Sequence, residues 1–348
     1  MVTRFNLSSS SQEGLKKALE GASILVTGAT GSFGQAFISR LLNFAPVRRL
    51  IVFSRDELKQ FEMQQNPDLR DKREMRYFIG DVRDQARLEL AMRDVDFVIH
   101  AAALKQVATA EYNPFECINT NVVGAENVVR AALKAGVKKV VALSTDKAVN
   151  PISLYGASKL AADKIFVAAN HLSGSQETFF SVIRYGNVSG SRGSVVPFFR
   201  RLILEGADHL PITDTRMTRF WITLPECCDF VLSCLASMDG GEIFVPKIPS
   251  MKVVDLAAAM APDLPQKSIG IRPGEKLHES LISEDDGRAT VDLGKYYVIE
   301  PEFDRLFGSN QSGNLLGQRM GERFSYTSDK NEEWLDVDGL NEMVAENT

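Results

Sequence analysis

The fold of this chain is decided by the stretch Ile24-Leu25-Val26-Thr27-Gly28-Ala29-Thr30-Gly31-Ser32-Phe33-Gly34. The run before the first glycine predicts a buried strand, and apolar residues at helical spacing after it predict a helix. A glycine turn between the two lets an anion approach the free amides at the helix N-terminus. Glycine turns are common, but in this strand-turn-helix context they are typical of a loop that binds a dinucleotide pyrophosphate. The candidate cofactor-binding residues here are Gly28, Thr30, Gly31, Ser32, Phe33 and Gly34.

Short β-branched runs alternate with helical patterns after this loop. The predicted strands are residues 23–27, 49–53, 76–79, 97–101, 139–143 and 181–184. Such alternation predicts an α/β fold with a doubly wound parallel sheet of the Rossmann type. A later helix (226–238) and strand (242–246) are expected to return to this sheet. We therefore predict a cofactor-binding domain over 20–186 and 226–247, a smaller, discontinuous C-terminal substrate-binding lobe over 187–225 and 248–335, and a tail over 336–348.

Composition and charge exclude several classes of protein. The chain has 348 residues, of which 44% are hydrophobic and 24% charged, as is typical of a globular protein. Its formal net charge of -5 argues against a general nucleic-acid binder, which needs an excess of Lys and Arg. The sequence has no signal-peptide pattern and no apolar run near the roughly 18 residues that cross a bilayer, so we expect a cytoplasmic protein without a membrane partner. The cysteines and histidines lack metal-ligand spacing, so we expect buried free thiols and no bound metal.

The second predicted strand ends in Ser54-Arg55-Asp56. An NAD enzyme usually carries a carboxylate at this corner, which accepts hydrogen bonds from the ribose hydroxyls. The guanidinium of Arg55 can instead bind a 2′-phosphate that a carboxylate would repel, so Ser54 and Arg55 favour NADP. The alternative is an exposed arginine followed by Asp56 as a helix cap. After the third strand, Asp81 and Val82 are candidates for contact with the adenine, although a loop aspartate is equally common as a turn former.

Two neighbouring motifs predict the catalytic residues. Ser144-Thr145-Asp146-Lys147 ends a strand, and Tyr155 and Lys159 lie at positions i and i+4 of the helix that follows, so their side chains share a face. Tyrosine has an ordinary pKa of about 10, and a nearby ammonium favours its phenolate. We therefore expect this pair to accept a proton from a substrate hydroxyl. The spacing Y-x-x-x-K is common by itself, and the dinucleotide loop and strand-end threonine make the prediction specific.

These motifs resemble the extended short-chain dehydrogenases/reductases that act on nucleotide sugars, over about residues 21–299. Within that group, Thr145-Asp146-Lys147 with intact Tyr155 and Lys159 is similar to the inverting UDP-N-acetylglucosamine 4,6-dehydratases of pseudaminic acid synthesis. The dTDP-glucose dehydratases carry Thr-Asp-Glu at the first motif. The large membrane-anchored UDP-N-acetylglucosamine dehydratases usually replace the tyrosine by methionine. Longer similar stretches are residues 54–60, 217–223, 241–247 and 271–279.

The resemblance implies a 4,6-dehydration with inversion at C5 of the sugar. Tyr155, assisted by Lys159 and aligned by Thr145, would take the proton of the C4 hydroxyl while NADP accepts hydride from C4. Lys147, if burial and positive neighbours deprotonate its ammonium, would remove the C5 proton as Asp146 protonates O6 and water leaves. Hydride then returns to C6 and a proton reaches the opposite face of C5. A salt bridge at the strand end is the alternative role of Asp146 and Lys147.

Polar side chains elsewhere in the chain are candidates for holding the substrate. Arg219 and Arg272 are candidate diphosphate clamps, because guanidinium groups fit phosphate oxygens, and Glu275 can accept hydrogen bonds from ribose hydroxyls. A solvated surface charge is the alternative for each of them, and the family resemblance is what favours a binding role. With the stretches similar to the family's sugar and nucleotide loops included, the candidate substrate-binding residues are Lys105, Asn187, Val195, Arg219, Arg272 and Glu275. The remaining candidates for contact with the cofactor are Ala101, Ala102, Lys105, Tyr155 and Lys159.

Two other functions use the same fold. A UDP-sugar 4-epimerase or ketoreductase would share the glycine loop and the Tyr155-Lys159 pair, but it has no use for a carboxylate and an amine beside the strand-end threonine. A non-catalytic NADP-sensing module is the other alternative, because fold alone does not establish catalysis. Intact Thr145, Tyr155 and Lys159 argue against it. The resemblance also implies a homo-oligomer, with UDP-N-acetylglucosamine as the expected small-molecule partner.

Overall fold

The computed structural model of the protein describes residues 3–174, 177–301 and 317–345. The strands in these ranges are β1 (Ser23–Thr27), β2 (Arg49–Ser54), β3 (Met75–Ile79), β4 (Phe97–His100), β5 (Lys139–Thr145), β6 (Phe179–Tyr185), β7 (Asn187–Val188), β8 (Leu210–Ile212), β9 (Thr218–Ile222), β10 (Ile243–Pro246), β11 (Ser250–Lys252), β12 (Gln266–Ser268), β13 (Ser280–Ile282), β14 (Thr290–Asp292), β15 (Tyr296–Ile299), β16 (Gln318–Arg319) and β17 (Tyr326–Thr327).

The α-helices of the same ranges are α1 (Ser9–Leu19), α2 (Ser32–Phe44), α3 (Glu57–Gln65), α4 (Gln85–Ala91), α5 (Val107–Tyr112), α6 (Pro114–Ile118), α7 (Gly124–Ala135), α8 (Leu154–Ala169), α9 (Val195–Leu204), α10 (Leu224–Ser237), α11 (Val253–Met260), α12 (Glu284–Gly287) and α13 (Val337–Ala345). A π-helical turn at Asn119–Val123 joins α6 to α7, and a 3-10 turn at Asp146–Ala148 follows β5.

Within the described residues, the central sheet has ten strands in the order β16-β14-β15-β10-β6-β5-β4-β1-β2-β3. From β10 to β3 every neighbouring pair is parallel. All residues of β1 and β4 are buried, as expected for strands covered by helices on both faces. The covering helices pack in groups, α1 and α2 with α10, and α4 and α8 with α7. The predicted doubly wound α/β fold is confirmed.

Each predicted strand of the sheet begins within two residues of the observed one. β5 is longer than predicted, because Ser144 and Thr145 continue its ladder with β6. α10 begins two residues before the predicted helix, because the Thr223 side chain and Glu226 form a capping box at its N-terminus. The chain then returns through β10, which pairs parallel with β6.

The C-terminal part of the predicted lobe differs from the structure. β14, β15 and β16 lie within the range 248–335 assigned to the lobe, yet they extend the central sheet beyond β10. In this extension β15 pairs antiparallel with β10, β14 with β15, and β16 with β14. These strands are short, and their sequence pattern does not reveal which open sheet edge they join. Residues 302–316 of the predicted lobe and 346–348 of the predicted tail lie outside the described residues. The preceding part of the tail forms α13, whose Leu340 is fully buried against α11.

Three smaller sheets in the described residues, β7-β9-β11, β8-β12 and β13-β17, lie apart from the central sheet. Buried apolar side chains of β8, β9 and β11 join separate clusters around α9, α11 and α13, whereas Leu281, Ile282 and Tyr326 of the β13-β17 sheet belong to the main core. All four cysteines are buried free thiols, as predicted. No helix in the described ranges is long and apolar enough to cross a membrane.

Candidate active site

A cleft of about 1180 Å³ lies at the carboxyl ends of the parallel strands, where open α/β sheets bind ligands. Its walls bring together nearly all the candidate residues for cofactor, substrate and catalysis. They are Gly28, Thr30, Gly31, Ser32, Phe33, Gly34, Ser54, Arg55, Asp81, Val82, Ala101, Ala102, Lys105, Thr145, Lys147, Tyr155, Lys159, Asn187, Val195, Arg219, Arg272 and Glu275. The remaining candidate, Asp146, is fully buried next to Lys147.

The glycine loop leaves room for a ligand along its backbone. Gly28 has a φ of +65°, and a Cβ atom there would lie 2.8 Å from the backbone nitrogen of Ala102. The amides of Ala101 and Ala102 donate to the Thr27 hydroxyl at 3.1 and 3.2 Å, which fixes this close approach. No side chain caps the N-terminus of α2, which begins after Gly31. Free amides beside a side-chain-free turn fit the diphosphate of a dinucleotide.

Arg55 extends from the end of β2 with 53% of its side chain exposed, and its guanidinium lies 3.6 Å from the Asp81 carboxylate. Asp81 is held more closely by Arg83, at 2.7 Å. Burial would raise the pKa of Asp81, but hydrogen bonds from Arg83 outweigh it and hold the pKa below its ordinary value. Arg55 therefore has only a loose partner and remains available to a phosphate group.

The neighbours of Arg55 have structural partners. The Ser54 hydroxyl accepts a hydrogen bond from Gln60 Nε2 at 2.9 Å. Asp56 caps α3 by accepting from a backbone amide of its first turn. The alternative considered for Asp56 is thus correct, and it is compatible with a binding role for Arg55.

β5 and α8 bring the predicted catalytic side chains together. Tyr155 stands in the first turn of α8 with Lys159 one turn later, and both side chains are buried. A Cβ atom on Gly156 would lie 2.2 Å from the carbonyl oxygen of Lys147, so glycine lets α8 contact the turn after β5 directly. Thr145, Lys147, Tyr155 and Lys159 consequently face one cleft.

The surroundings of Tyr155 differ from those predicted. Burial raises the pKa of Tyr155 to about 12, and the cation that opposes this rise is the Lys147 ammonium. Lys159 instead donates a hydrogen bond from Nζ to the carbonyl oxygen of Leu143 at 2.7 Å. Burial lowers the pKa of Lys159, opposed by Asp163. The i, i+4 spacing predicts a shared helix face, but it does not show how little solvent reaches the phenol.

Lys147 lies between two carboxylates. Its Nζ is 3.0 Å from Asp146 Oδ1 and 3.3 Å from Glu279 Oε1. Burial would lower the pKa of Lys147, but the charges of Asp146 and Glu279 outweigh it and raise the pKa above its ordinary value. The expectation that positive neighbours deprotonate Lys147 is therefore wrong, because its two nearest charged neighbours are negative.

Glu279 is the residue of this site that sequence reasoning missed. Its side chain is 2% exposed, and besides Lys147 it lies 3.8 Å from Arg219 Nε and 3.7 Å from Lys276 Nζ. It belongs to the stretch 271–279, which carries part of the family resemblance. The signal that could have indicated it is an acidic residue within a stretch similar to the family.

The two candidate diphosphate clamps have different surroundings. The Arg272 side chain is 56% exposed, and its ion pair with Glu275 is loose, with 3.9 Å between the charged atoms. Its guanidinium is therefore open to a phosphate. Arg219 is buried, and its guanidinium donates to backbone carbonyls at 2.7 to 3.1 Å, those of Thr218, Lys276 and Leu277. These contacts fix the segment 271–279 and do not support a clamp at Arg219. The spacing of residues in the sequence cannot show that a guanidinium already donates its hydrogen bonds to backbone carbonyls of the protein.

Some polar atoms in the cleft wall are left without a partner. Within the described residues, Asn187 Oδ1 and Glu275 Oε2 are buried and accept no hydrogen bond. Buried acceptors of this kind normally have donors, so they fit a ligand with several hydroxyl or amide groups. Burial lowers the pKa of Lys105, whose side chain lines the same cleft.

Comparison with known proteins identifies the family. The sequence model of a family described as polysaccharide biosynthesis protein matches residues 24–301. A Campylobacter jejuni protein named UDP-N-acetylglucosamine 4,6-dehydratase (inverting) is 58% identical over 92% of this chain and 96% of its own length. The chain belongs to the family of these inverting dehydratases. A Rickettsia akari protein named UDP-glucose 4-epimerase is 45% identical, over 79% of this chain and 82% of its own length.

Solved structures of other proteins share the fold. One described as Pen from Bacillus thuringiensis superposes with a TM-score of 0.86 at 34% identity, covering 94% of this chain and 98% of its own. DesIV, a dTDP-glucose 4,6-dehydratase from Streptomyces venezuelae solved with NAD and TYD bound, has a TM-score of 0.65 at 25% identity, covering 73% and 86%. The predicted resemblance to extended short-chain dehydrogenases/reductases is confirmed.

Proposed function

We propose that this protein converts UDP-N-acetylglucosamine to UDP-2-acetamido-2,6-dideoxy-β-L-arabino-hexos-4-ulose, a 4,6-dehydration with inversion at C5. The observation that carries the proposal is the Asp146-Lys147 pair, hydrogen-bonded at 3.0 Å, whose lysine lines one cleft with Tyr155. Similarity to the inverting dehydratase over nearly the whole chain supports the substrate and the stereochemistry. As a carbon-oxygen lyase of this type, it would catalyse the first step of pseudaminic acid-type sugar synthesis.

NADP is the proposed cofactor. The side-chain-free turn at Gly28 and the uncapped amides of α2 fit its diphosphate, and Arg55 would bind the 2′-phosphate. When bound, NADP would supply the hydride chemistry of the reaction, accepting from C4 and returning to C6. The NAD present in the DesIV structure supports a nicotinamide dinucleotide, while the preference for NADP rests on Arg55.

Tyr155 is the proposed acceptor of the proton from the C4 hydroxyl. Burial raises the pKa of Tyr155 to about 12, so the phenolate that forms when this side chain ionises is a strong base. The Lys147 ammonium favours the ionised form, and Lys159, fixed to the Leu143 carbonyl, lies on the same helix face. Thr145 orients the neighbouring carboxylate by donating its hydroxyl proton to Asp146 Oδ1 at 2.9 Å.

Asp146 and Lys147 are the proposed carriers of the protons in the elimination. Moving one proton along their 3.0 Å hydrogen bond turns the ion pair into a carboxylic acid and an amine. In that form Lys147 takes the C5 proton, and Asp146 gives its proton to O6, which leaves as water. The pair returns to carboxylate and ammonium, so the protons balance.

Reaction in heavy water tests this function. Purified protein incubated with UDP-N-acetylglucosamine should release a product lighter by one water, with one deuterium at an inverted C5 and the original C4 hydrogen at C6. Mass spectrometry and NMR measure all three. Lys147→Ala should abolish the loss of water while NADP affinity stays unchanged, because Lys147 acts after the cofactor has bound.

Other products of this experiment would contradict the proposal. An unchanged mass with inversion at C4 would indicate the epimerase activity after which the Rickettsia akari relative is named. Retained configuration at C5, or a Lys147→Ala protein that dehydrates at the original rate, would show that Lys147 is structural and the inverting assignment wrong.

We also propose that the protein forms a homo-oligomer. Large apolar side chains are exposed between α5 and the start of α7, namely Tyr112, Phe115, Ile118 and Val123. Exposed apolar residues clustered in one segment are typical of subunit contacts. Size-exclusion chromatography with light scattering should give a mass above that of one chain, and a monomer at assay concentration would contradict this.

A further inference from the structure

A buried carboxylate outside the predicted catalytic set completes the surroundings of Lys147. Glu279 ends the segment that passes the cleft just before β13. Its backbone is held on both sides by Ser328, whose hydroxyl accepts from the Glu279 amide at 2.9 Å and whose amide donates to the Glu279 carbonyl at 2.8 Å. The side chain is therefore presented from a fixed backbone.

Lys147 is the cation closest to this carboxylate, at 3.3 Å. The other nearby cations have partners elsewhere, because Arg219 donates to backbone carbonyls and Lys276 Nζ donates to the carbonyl of Val149. The second partner of Lys147 is Asp146, whose charge changes during the proposed elimination. Glu279 is thus the acidic neighbour of Lys147 that the proposed proton transfers leave unchanged.

We propose that Glu279 is a positioning residue for proton transfer at C5, holding Lys147 Nζ in place and serving as its counter-ion while Asp146 is protonated. This inference rests on the proposed function. When the C5 proton moves to the amine of Lys147, an ammonium forms beside a neutral Asp146, and Glu279 carries the compensating negative charge. A fixed charge aimed at a group that becomes charged lowers the barrier, because no reorganisation is needed.

The proposal predicts a change in pH dependence. The charged and titratable groups that surround Lys147 and Glu279 are Asp146, Tyr155, Arg219 and Lys276. Removing the charge of Glu279 takes away one of the two carboxylates that raise the pKa of Lys147. The pKa of Lys147 then falls, so the pair loses its shared proton to solvent at lower pH, and the alkaline limb on which the rate falls moves to lower pH. A role in folding alone would not move this limb.

Glu279→Gln tests the proposal, because glutamine keeps the shape and removes the charge. We would measure kcat, KM and deuterium incorporation at C5 across pH, with NADP and UDP-N-acetylglucosamine as ligands. We expect kcat to fall by about tenfold or more with KM changed by less than about threefold, and the alkaline limb to move to lower pH by about one unit. Glu279→Asp, which restores the charge, should return the limb toward its original position and recover part of the rate.

Glu242→Gln is the matched control. Glu242 is also a buried carboxylate, 8% exposed, but it accepts hydrogen bonds from Ser181 and from backbone amides at 239 and 240, away from the cleft. It should lower stability without moving the pH limb. An active wild-type enzyme whose Glu279→Gln and Glu279→Asp variants keep its kcat and alkaline limb would overturn the role of Glu279. A wild-type protein that forms no dehydrated product would overturn the proposed function itself.

Discussion

Cofactor preference tests the interpretation of the end of β2. Arg55→Asp replaces a guanidinium by a carboxylate where the 2′-phosphate of NADP is expected to lie. Two unit charges 4 Å apart interact by about 1 kcal/mol in bulk water and about 4 kcal/mol at an effective dielectric constant near 20. Because 53% of the Arg55 side chain is exposed, its contribution belongs near the lower end of that range. About 1.4 kcal/mol corresponds to a tenfold preference for NADP.

The variant should therefore lose affinity for NADP by about tenfold or more, while the Kd for NAD, which lacks the 2′-phosphate, changes much less. Isothermal titration with both dinucleotides at low and high salt measures this. The NADP preference of the wild type should shrink at high salt, because an exposed ion pair is screened. Arg130→Asp gives the same change in net charge on an exposed arginine of α7 and should leave both Kd values unchanged. Equal affinity of the unmodified protein for NADP and NAD would refute the role given to Arg55.

Two further substitutions test the glycine loop and the core beneath it. Gly28→Ala should abolish dinucleotide binding, because a φ of +65° costs about 1–2 kcal/mol for alanine and the new methyl would meet the Ala102 backbone at 2.8 Å; wild-type affinity in a fluorescence titration would contradict this. Burial, assisted by the Lys159 ammonium, lowers the pKa of His100 to about 3. Since the folded pKa lies below the unfolded value of about 6.5, the free energy of unfolding should fall as pH decreases through this range, by up to about 1.4 kcal/mol per unit. Urea denaturation of wild type and His100→Gln should give curves that converge toward acid pH, and parallel curves would argue against a buried neutral histidine.

The sequence predicts the central sheet well because its signals are local. β1, the glycine turn and the start of α2 are contiguous, and Tyr155 and Lys159 are one helical turn apart. Each of these features is determined by residues within a few positions, so spacing is sufficient to predict it.

What the sequence did not predict depends on contacts between distant segments. The carboxylates around Lys147 include Glu279, which comes from the lobe, and their combined charge reverses the expected effect on the lysine pKa. The guanidinium of Arg219 is suited to phosphate, yet it donates hydrogen bonds to backbone carbonyls of the segment 271–279. β14 to β16 join a sheet edge that only the folded chain presents. None of these outcomes leaves a periodic pattern in the sequence.

The contact between Arg219 and the segment 271–279 has a consequence for protein engineering. Exchanging that segment with the equivalent loop of another nucleotide-sugar enzyme is an obvious route to a new substrate range. In this protein Arg219 of β9 holds the loop by donating hydrogen bonds to its backbone carbonyls. The positions of these carbonyls depend on the loop backbone and not on its side chains. A chimera should therefore keep Arg219 and the length of the loop together, and changes of substrate range should come from cleft side chains such as Arg272 and Glu275, which do not hold the loop.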